Sequence, residues 1–332
     1  MFELTLKGTH YEIGHHYGML LRKWGINFPK PEIKSIKFAA MVEEEVRDLF
    51  PNLIEEIRGI TDGGSFDYEV IRTYALTVGR SPGCTVFSIS GQHTSDGKTV
   101  FARNYDASSA FQNFTLIKTY PKGCLSHIGC VFEMIVGRED GINEAGVAIA
   151  VTGVHGVYTD KPGVWDHIPI RIVLDTCTTT KEAVELLEKI PHLWTKNFLI
   201  ADAQGDIAIV EAAQQDLAVI YPTDGIGVVT NHFVSDSMQN YSNQEKLMYK
   251  TKERLSNVRR WFENQNEKVD LDILKWVLSD PEMGVCSDFK AKQPNGSFLT
   301  VWSWVAKLGE KNLQLATGVP VSLESEYKNY IF

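Results

Sequence analysis

Two hydrophobic periods divide this chain. Up to residue 80 apolar positions recur every three or four residues, the spacing of an amphipathic helix, and beyond residue 81 they mostly alternate, the spacing of a strand. After a short strand-like Phe2 to Leu6, the stretch Tyr11 to Trp24 carries Ile13, Tyr17, Leu20, Leu21 and Trp24 at helical spacing. A second amphipathic run covers Ile33 to Phe50, with Ile36, Ala39, Ala40 and Val46 set among acids. Pro51 suits the first turn of a third helix running to Ile60, and Asp62-Gly63-Gly64 is expected to break it. Asp67 can cap a fourth helix through Ile71, Tyr74, Ala75 and Val78.

At Ser81-Pro82-Gly83-Cys84 the period changes. Cys84 to Ile89, Thr99 to Asn104, Thr115 to Tyr120, Ile128 to Val136 and Val147 to Val151 are short β-branched and aromatic runs separated by turns such as Asp96-Gly97. Helices return at Ile168 to Cys177 and Lys181 to Ile190. A strand meander follows over Phe198 to Ala201, Ile207 to Ala212, Leu217 to Tyr221 and Gly227 to Thr230, with turns at Gln204-Gly205-Asp206 and Gln214-Gln215-Asp216. A polar helix pair, Asn243 to Asn264 and Leu271 to Ser279, precedes a last hairpin, Phe298 to Lys307 and Asn312 to Thr317. Two sets of antiparallel strands with helices outside predict an α+β fold, a four-layer α/β/β/α sandwich. No repeat, low-complexity tract or linker divides the chain, so residues 1–332 are expected to form a single domain.

Composition narrows the function. A chain with 43% hydrophobic and 23% charged residues is neither disordered nor collagen-like. The formal net charge of −9 has the wrong sign for a phosphate-binding surface, which argues against nucleic acid as a partner. Cys84, Cys124, Cys130, Cys177 and Cys286 are odd in number and irregular in spacing, and so do not read as a disulfide framework. The start, Met1 to Lys7, has no basic and apolar leader pattern, and no segment offers about 18 uninterrupted apolar residues. A reduced, cytoplasmic protein without a membrane partner is expected, and there a cysteine is more apt to be catalytic than cross-linked.

Cys84 is the cysteine whose context suggests chemistry. It opens a strand at the boundary between the helical and β regions and follows Pro82-Gly83, a dipeptide that fixes one backbone angle and frees the next. That suits a peptide bond held in an unusual conformation beside a thiol. Attack on the Gly83 carbonyl, then hydrolysis of the thioester, would leave Cys84 as a new chain terminus. An α-amino group has a pKa of about 7.7 to 8, so it can accept the thiol proton at neutral pH. One residue then supplies both nucleophile and base. A carboxylate to orient the amine and an amide to stabilise the oxyanion complete the requirement.

Phe101-Ala102-Arg103-Asn104-Tyr105-Asp106 offers candidates. Folding the hairpin about Asp96-Gly97 puts residue 109 opposite Cys84, whereas a wider loop centred near Thr94 puts Asn104 there. Period-two alternation does not bring Arg103 and Asp106 to one face without a bulge. A solvated Arg and Asp is the plainer alternative.

Gly83-Cys84-Thr85 followed by the 101–106 segment resembles the acyl-coenzyme A:6-aminopenicillanate acyltransferase family, and more distantly the choloylglycine hydrolases and penicillin V acylases, all N-terminal-nucleophile hydrolases. Other landmarks resemble the family in the same order. These are Lys7-Gly8-Thr9-His10-Tyr11-Glu12-Ile13-Gly14 with Gly18, Gly141-Ile142-Asn143-Glu144-Ala145-Gly146-Val147, Val229-Thr230-Asn231-His232 and Thr300-Val301-Trp302-Ser303. The resemblance implies that Cys84 is nucleophile and self-cleavage residue, that Asp106 orients the new amine, that Arg103 holds the cysteine and favours thiolate, and that Asn231 donates to the oxyanion. It implies cleavage between Gly83 and Cys84, with 1–83 retained as a helical segment and 84–332 as the catalytic part. No cofactor or metal is implied, and the partner is a small-molecule N-acyl amide or acyl-coenzyme A. A homo-oligomer is compatible with it.

One place departs from the family. Many members carry a cysteine-arginine pair shortly before the last hairpin, where this chain has Val285-Cys286-Ser287-Asp288. The rival expectation is accordingly an uncleaved ligand-binding or scaffold protein. Other signals are weaker: His10, His15 and His16 are expected at the surface or core edge, Cys124 and Cys130 as incidental thiols, and Trp302 and Trp304 as packing residues. Asn143-Glu144-Ala145-Gly146 reads as a hairpin turn. A papain-like pairing of Cys84 with His232 would want Cys84 near a helix N-terminus, whereas the period says strand.

Overall fold

The computed structural model describes residues 1–77, 83–108, 114–132, 136–156, 163–214, 216–243, 245, 247, 250–293, 296–320 and 326–332, with 288–293 and 296–298 as backbone only. The expected Val78, the Ser81-Pro82 pair, the end of the Ile128 to Val136 run and Gln215 lie wholly or partly outside these residues.

The helical first quarter consists of β1 (Phe2–Gly8), α1 (His10–Lys23), α2 (Ile33–Leu49), α3 (Pro51–Gly64) and α4 (Tyr68–Thr77). Thr9 and Glu12 close a capping box that starts α1. Gly63-Gly64 does not break α3 at Ile60 as expected. The helix continues to Gly64 and ends at left-handed Ser65, because these glycines are contact residues. A Cβ on Gly14 would sit 2.0 Å from the Glu56 carbonyl oxygen, and one on Gly63 2.0 Å from that of His15. Backbone-to-backbone packing of α1 on α3 therefore needs glycine.

The strands are β2 (Gly83–Ile89), β3 (Val100–Ser108), β4 (Phe114–Pro121), β5 (His127–Phe132), β6 (Asp140–Asn143), β7 (Ala148–Gly153), β8 (Lys196–Ala201), β9 (Ile207–Ala212), β10 (Leu217–Ile220), β11 (Ile226–Val229), β12 (Asp288–Gln293), β13 (Gly296–Lys307), β14 (Asn312–Thr317) and β15 (Lys328–Ile331). The remaining helices are α5 (His167–Thr176), α6 (Thr180–Leu187), α7 (Thr251–Glu263) and α8 (Leu271–Ser279). Among the described residues α7 begins at Thr251, not at Asn243.

One sheet has the order β1-β4-β5-β6-β7-β8-β9-β10, and the other runs β11-β2-β3-β13-β14-β15 with β12 beside β13. The sheets are antiparallel except that β1 lies parallel to β4. Their facing sides bury Val86, Phe101, Phe114, Ile128, Leu199, Trp302 and Trp304 in a common core. α1, α3 and α5 cover the outer face of the first sheet, and α7 and α8 that of the second. This is the expected four-layer α/β/β/α sandwich. Asn143 makes the expected turn: its Oδ1 accepts from the Ala145 and Val147 N–H groups, and Gly146 takes φ +88°. No helix among the described residues is long and apolar enough to cross a membrane.

Candidate active site

The β2–β3 ladder settles the hairpin register. Gly83 lies opposite Asp106, Cys84 opposite Tyr105 and Val86 opposite Arg103, so the wider loop is correct to within one residue. Gly83 and Cys84 thus belong to a paired strand; Pro82 is outside the described residues. Alternation then places Cys84, Arg103 and Tyr105 on the inner face and Asn104 and Asp106 on the outer one. The bulge in this region lies between Thr300 and Trp302 of β13, not in β3, and leaves that alternation intact.

Cys84 is wholly buried, and its atoms are held separately. Its thiol accepts from Arg103 Nη2 at 2.9 Å. Its backbone N–H donates to Asn231 Oδ1 at 3.1 Å. Burial pushes the thiol up to about 12, against Arg103, whose charge and hydrogen bond favour thiolate, and against a hydrogen bond from the Asp106 backbone. Arg103 therefore acts in the expected direction, but desolvation outweighs it and the thiol of the intact chain is protonated.

Arg103 is itself positioned from the opposite sheet. Its Nη1 donates to Asp140 Oδ2 at 2.7 Å and to the Glu139 carbonyl at 3.1 Å, and its Nη2 also reaches the Val151 carbonyl at 3.2 Å. Trp302 Nε1 donates to the same Asp140 oxygen at 2.9 Å while its ring stacks on Tyr105 with centroids 3.8 Å apart. Trp302 and Trp304 are packing residues, as expected, and Trp302 also fixes an acid.

Asp106 accepts from Thr300 Oγ1 at 2.6 Å, and burial raises its carboxyl to about 6 although Thr300, Arg254 and Arg103 all favour ionisation. Ser287, standing where the family often has arginine, donates its backbone N–H to Thr300 Oγ1 at 3.0 Å and accepts from the Thr300 N–H at 3.1 Å, so that segment reaches Asp106 indirectly.

Asn231 follows β11. Its Nδ2 donates to the Gly153 carbonyl at 2.8 Å, and its Oδ1 accepts from both Cys84 N–H and Arg254 Nη2, the latter at 2.6 Å. Both Oδ1 partners are donor-only, which fixes the amide's orientation. In the intact chain Asn231 thus turns its oxygen, not its amide protons, toward Cys84. His232 bonds Thr230 and Thr251 Oγ1, at 3.2 and 2.9 Å, and burial lowers it to about 4, so it is not the partner of the thiol.

Sequence reading missed Arg254 and Asp140. Arg254 Nη1 donates to the Cys84 carbonyl at 2.9 Å and to Thr85 Oγ1 at 2.7 Å, in addition to the bond to Asn231. It sits one turn into α7 and is 4% exposed. Its run, Lys250-Thr251-Lys252-Glu253-Arg254, reads locally as a solvated helix start; only the burial of Thr251, of Arg254 three residues on and of Val258 four beyond that marks an inward stripe. His10 also departs from expectation: it is buried against Asp175 at 3.0 Å, whereas His15 is half-buried and His16 exposed. All five cysteines are free thiols, and no metal-binding group of three or more side chains occurs among the described residues.

Residues 93–321 match the sequence pattern of the acyl-coenzyme A:6-aminopenicillanic acid acyl-transferase family. The chain belongs to this family. An acyl-coenzyme A:6-aminopenicillanic-acid-acyltransferase, 40 kDa form, of Emericella nidulans is 26% identical over 253 residues, covering 70% of this chain and 69% of the relative. Two solved structures share the fold. Penicillin V acylase from Agrobacterium tumefaciens has a TM-score of 0.53 at 20% identity, over 70% of this chain and 83% of that one. A conjugated bile acid hydrolase from Clostridium perfringens has a TM-score of 0.54 at 17% identity, over 75% and 97%. Family membership makes the chain an enzyme of the acyltransferase class, and the solved structures show the N-terminal-nucleophile fold. The family match begins nine residues after Cys84, so the case for that cysteine rests on its surroundings.

Proposed function

We propose that the chain is a cysteine amidohydrolase or acyltransferase of the N-terminal-nucleophile type, made as a precursor and activated by its own cleavage between Gly83 and Cys84. The observation that carries this reading is the separate grip on the two reacting atoms of one residue: Arg103 on the Cys84 thiol and Asn231 on its backbone nitrogen. A packing cysteine has no need of a guanidinium on its sulfur.

In the first cut Cys84 Sγ attacks the Gly83 carbonyl carbon. The carbon–nitrogen bond breaks, the nitrogen takes a proton to become the Cys84 amine, and a thioester joins Gly83 to the sulfur. Water then attacks the thioester, leaving a Gly83 carboxylate and a free thiol. The protein would thereafter consist of segments 1–83 and 84–332. In turnover the amine accepts the thiol proton and the sulfur attacks the carbonyl carbon of a linear amide or an acyl thioester; the bond to the substrate's amine or thiol breaks, that group leaves with the proton, and the acyl group on sulfur passes to water or to an acceptor amine. Arg103 stabilises the thiolate. Asn231 receives the new amine on Oδ1 and remains the candidate oxyanion donor through Nδ2. Asp106, across the ladder from Gly83, is the carboxylate nearest in register to the new terminus. The substrate is a small N-acyl amide or acyl-coenzyme A, and no cofactor enters these steps.

Intact-mass measurement of the purified protein tests the reading. Two chains, 1–83 and 84–332, are expected; Cys84→Ala should give one full-length chain and no thioester adduct with acyl donors. A wild-type chain that stays whole at neutral pH would favour the ligand-binding alternative. A cleaved and active Cys84→Ala protein would remove Cys84 from the mechanism.

A further inference from the structure

One strand, β13, serves two acids that lie on opposite sides of its sheet. Trp302 pairs with Tyr105 on the inner face and reaches Asp140, whereas Thr300 pairs with Asp106 on the outer face and bonds it at 2.6 Å. In an unbroken strand residues two apart share a face, so Thr300 and Trp302 could not do both. The bulge between them resolves this. Tyr105 and Asp106 are adjacent while their partners are two apart, which makes Val301 the extra residue. Val301 is buried with Trp302 in the inner core, and Thr300, 1% exposed, is left to the outer face.

The direction of the Thr300 proton follows from its partners. The Ser287 N–H can only donate, and it reaches Thr300 Oγ1 at 3.0 Å, so the single hydroxyl proton is left for Asp106 Oδ1. Cys286 Sγ, at 4.0 Å, is the weaker claimant. The Ser287 end is braced from β3 and β13. Asn104 Nδ2 donates to the Leu278 and Val285 carbonyls at 2.8 and 3.0 Å, and the Thr300 N–H donates to the Ser287 carbonyl at 3.1 Å. Arg254 from α7, Arg103 from β3 and the Cys84 thiol from β2 also face Asp106, the two guanidiniums acting through their charge. Thr300 adds the directional bond.

We propose that Thr300 is a positioning residue for the reaction: set by the Val301 bulge and by the Ser287 N–H, its hydroxyl holds Asp106 Oδ1 as an acceptor and leaves Oδ2 for the α-amino group that the cut exposes on Cys84. Asp106 must be ionised to accept from both, and a donated hydroxyl proton favours that form. The departure at Ser287 then has a function, since the main chain there acts on Asp106 through Thr300. The role in catalysis rests on the proposed cleavage at Cys84, but the hold on Asp106 does not depend on turnover.

The test separates the hydroxyl from the shape of the side chain. Valine keeps the β-branched shape and loses the proton, whereas serine keeps the proton and loses a methyl group. In NMR spectra of full-length Cys84→Ala protein with isotopically labelled aspartate carboxyls, the Asp106 signal is assigned by its loss in Asp106→Asn. It should titrate about one pH unit higher in Thr300→Val and return to within about 0.3 unit of the parent in Thr300→Ser. With Cys84 present, kcat per mole of cut chain is measured on hexanoyl para-nitroanilide and hexanoyl-coenzyme A. It should fall about tenfold or more in Thr300→Val at nearly constant KM, and Thr300→Ser should recover most of the loss. A valine variant that stays whole beside a cut serine variant counts in favour as well. Thr300→Ala, a second variant without the hydroxyl, takes the place of valine if that protein does not melt cooperatively. An unmoved midpoint, or an unchanged kcat in a cut and active Thr300→Val, overturns the positioning role and leaves the cleavage reading standing. A serine variant worse than valine in both measurements overturns it too, because packing alone then accounts for Thr300. A raised midpoint in Thr300→Val, when the wild type neither cuts itself nor turns over either probe, supports the hold on Asp106 and counts against the cleavage reading.

Discussion

One guanidinium, that of Arg254, touches the Cys84 carbonyl, Thr85 Oγ1 and Asn231 Oδ1 together. Without it three buried acceptors lose a charged donor and the Asn231 amide is no longer fixed. Arg254→Gln should slow the Gly83–Cys84 cut about a hundredfold, the scale of a misplaced reacting group. In a Cys84→Ala background it should lower unfolding free energy by about 2–4 kcal/mol in denaturant titrations. Arg254→Lys should recover little, because an ammonium lacks the planar fork that spans these acceptors. A cleavage rate within threefold of wild type in Arg254→Gln would remove Arg254 from the positioning role. The protonated thiol carries a second consequence. Before the cut the Cys84 nitrogen is an amide and cannot act as base, so the first cut and later turnovers must use different proton acceptors. With the thiol at about 12, the thiolate fraction rises throughout the range from pH 6 to 9, and the first-cut rate should rise with it when followed by mass. Turnover should instead level off near the α-amine's pKa of about 8. A first cut that is flat above pH 6 would assign the proton to Asp106, whose carboxyl ionises there.

Element geometry explains which parts of the fold were legible. Many strands and most helices announce themselves because one face of each is apolar along its whole length, as in Ile207–Ala212 and Leu271–Ser279. β6, β12 and β15 went unread. Asp140-Gly141-Ile142-Asn143 is too short and too polar to alternate, and its Asp140 is buried for the sake of Arg103 on the other sheet. Gly63-Gly64 was misread because glycine marks a turn locally, whereas here it allows two helices to touch. That contact is testable. Gly14→Ala places a methyl 2.0 Å from a backbone oxygen that cannot move alone, and should destabilise a Cys84→Ala protein by about 3 kcal/mol or more in thermal or denaturant melts. Gly97, which has nothing within 4 Å but φ +76°, should tolerate alanine at a cost of only about 1–2 kcal/mol. At the site, Cys84, Arg103, Asp106 and Asn231 were legible by type and order, and the structure gathers all four around one strand end. Arg254 and Asp140 were not, since their significance comes from burial by elements distant in sequence.

Across the whole molecule, segment 1–83 is bound to the rest by more than its peptide link. β1 pairs with β4, Glu56 takes a two-pronged bond from Arg171 at 2.8 and 3.1 Å, and His10 meets Asp175. The two segments of a cut protein should therefore co-elute in gel filtration. Arg171→Ala leaves Glu56 and Asp175 buried without their cation, and should cost about 3–5 kcal/mol and release 1–83 at lower denaturant. Removing the half-exposed partner Arg58 should change neither measurement. The β3–β13 pairing sets a further condition on activation. Asp106 is held by Thr300, and the Asp140 that anchors Arg103 is held by Trp302, so the surroundings of the thiol are incomplete until β13 has been synthesised and docked beside β3. A ribosome-bound chain that reaches only residue 292 holds the cysteine but not its complete setting. The proposed cut would thus act as a receipt for completed folding, issued only to chains whose final hairpin has found its place.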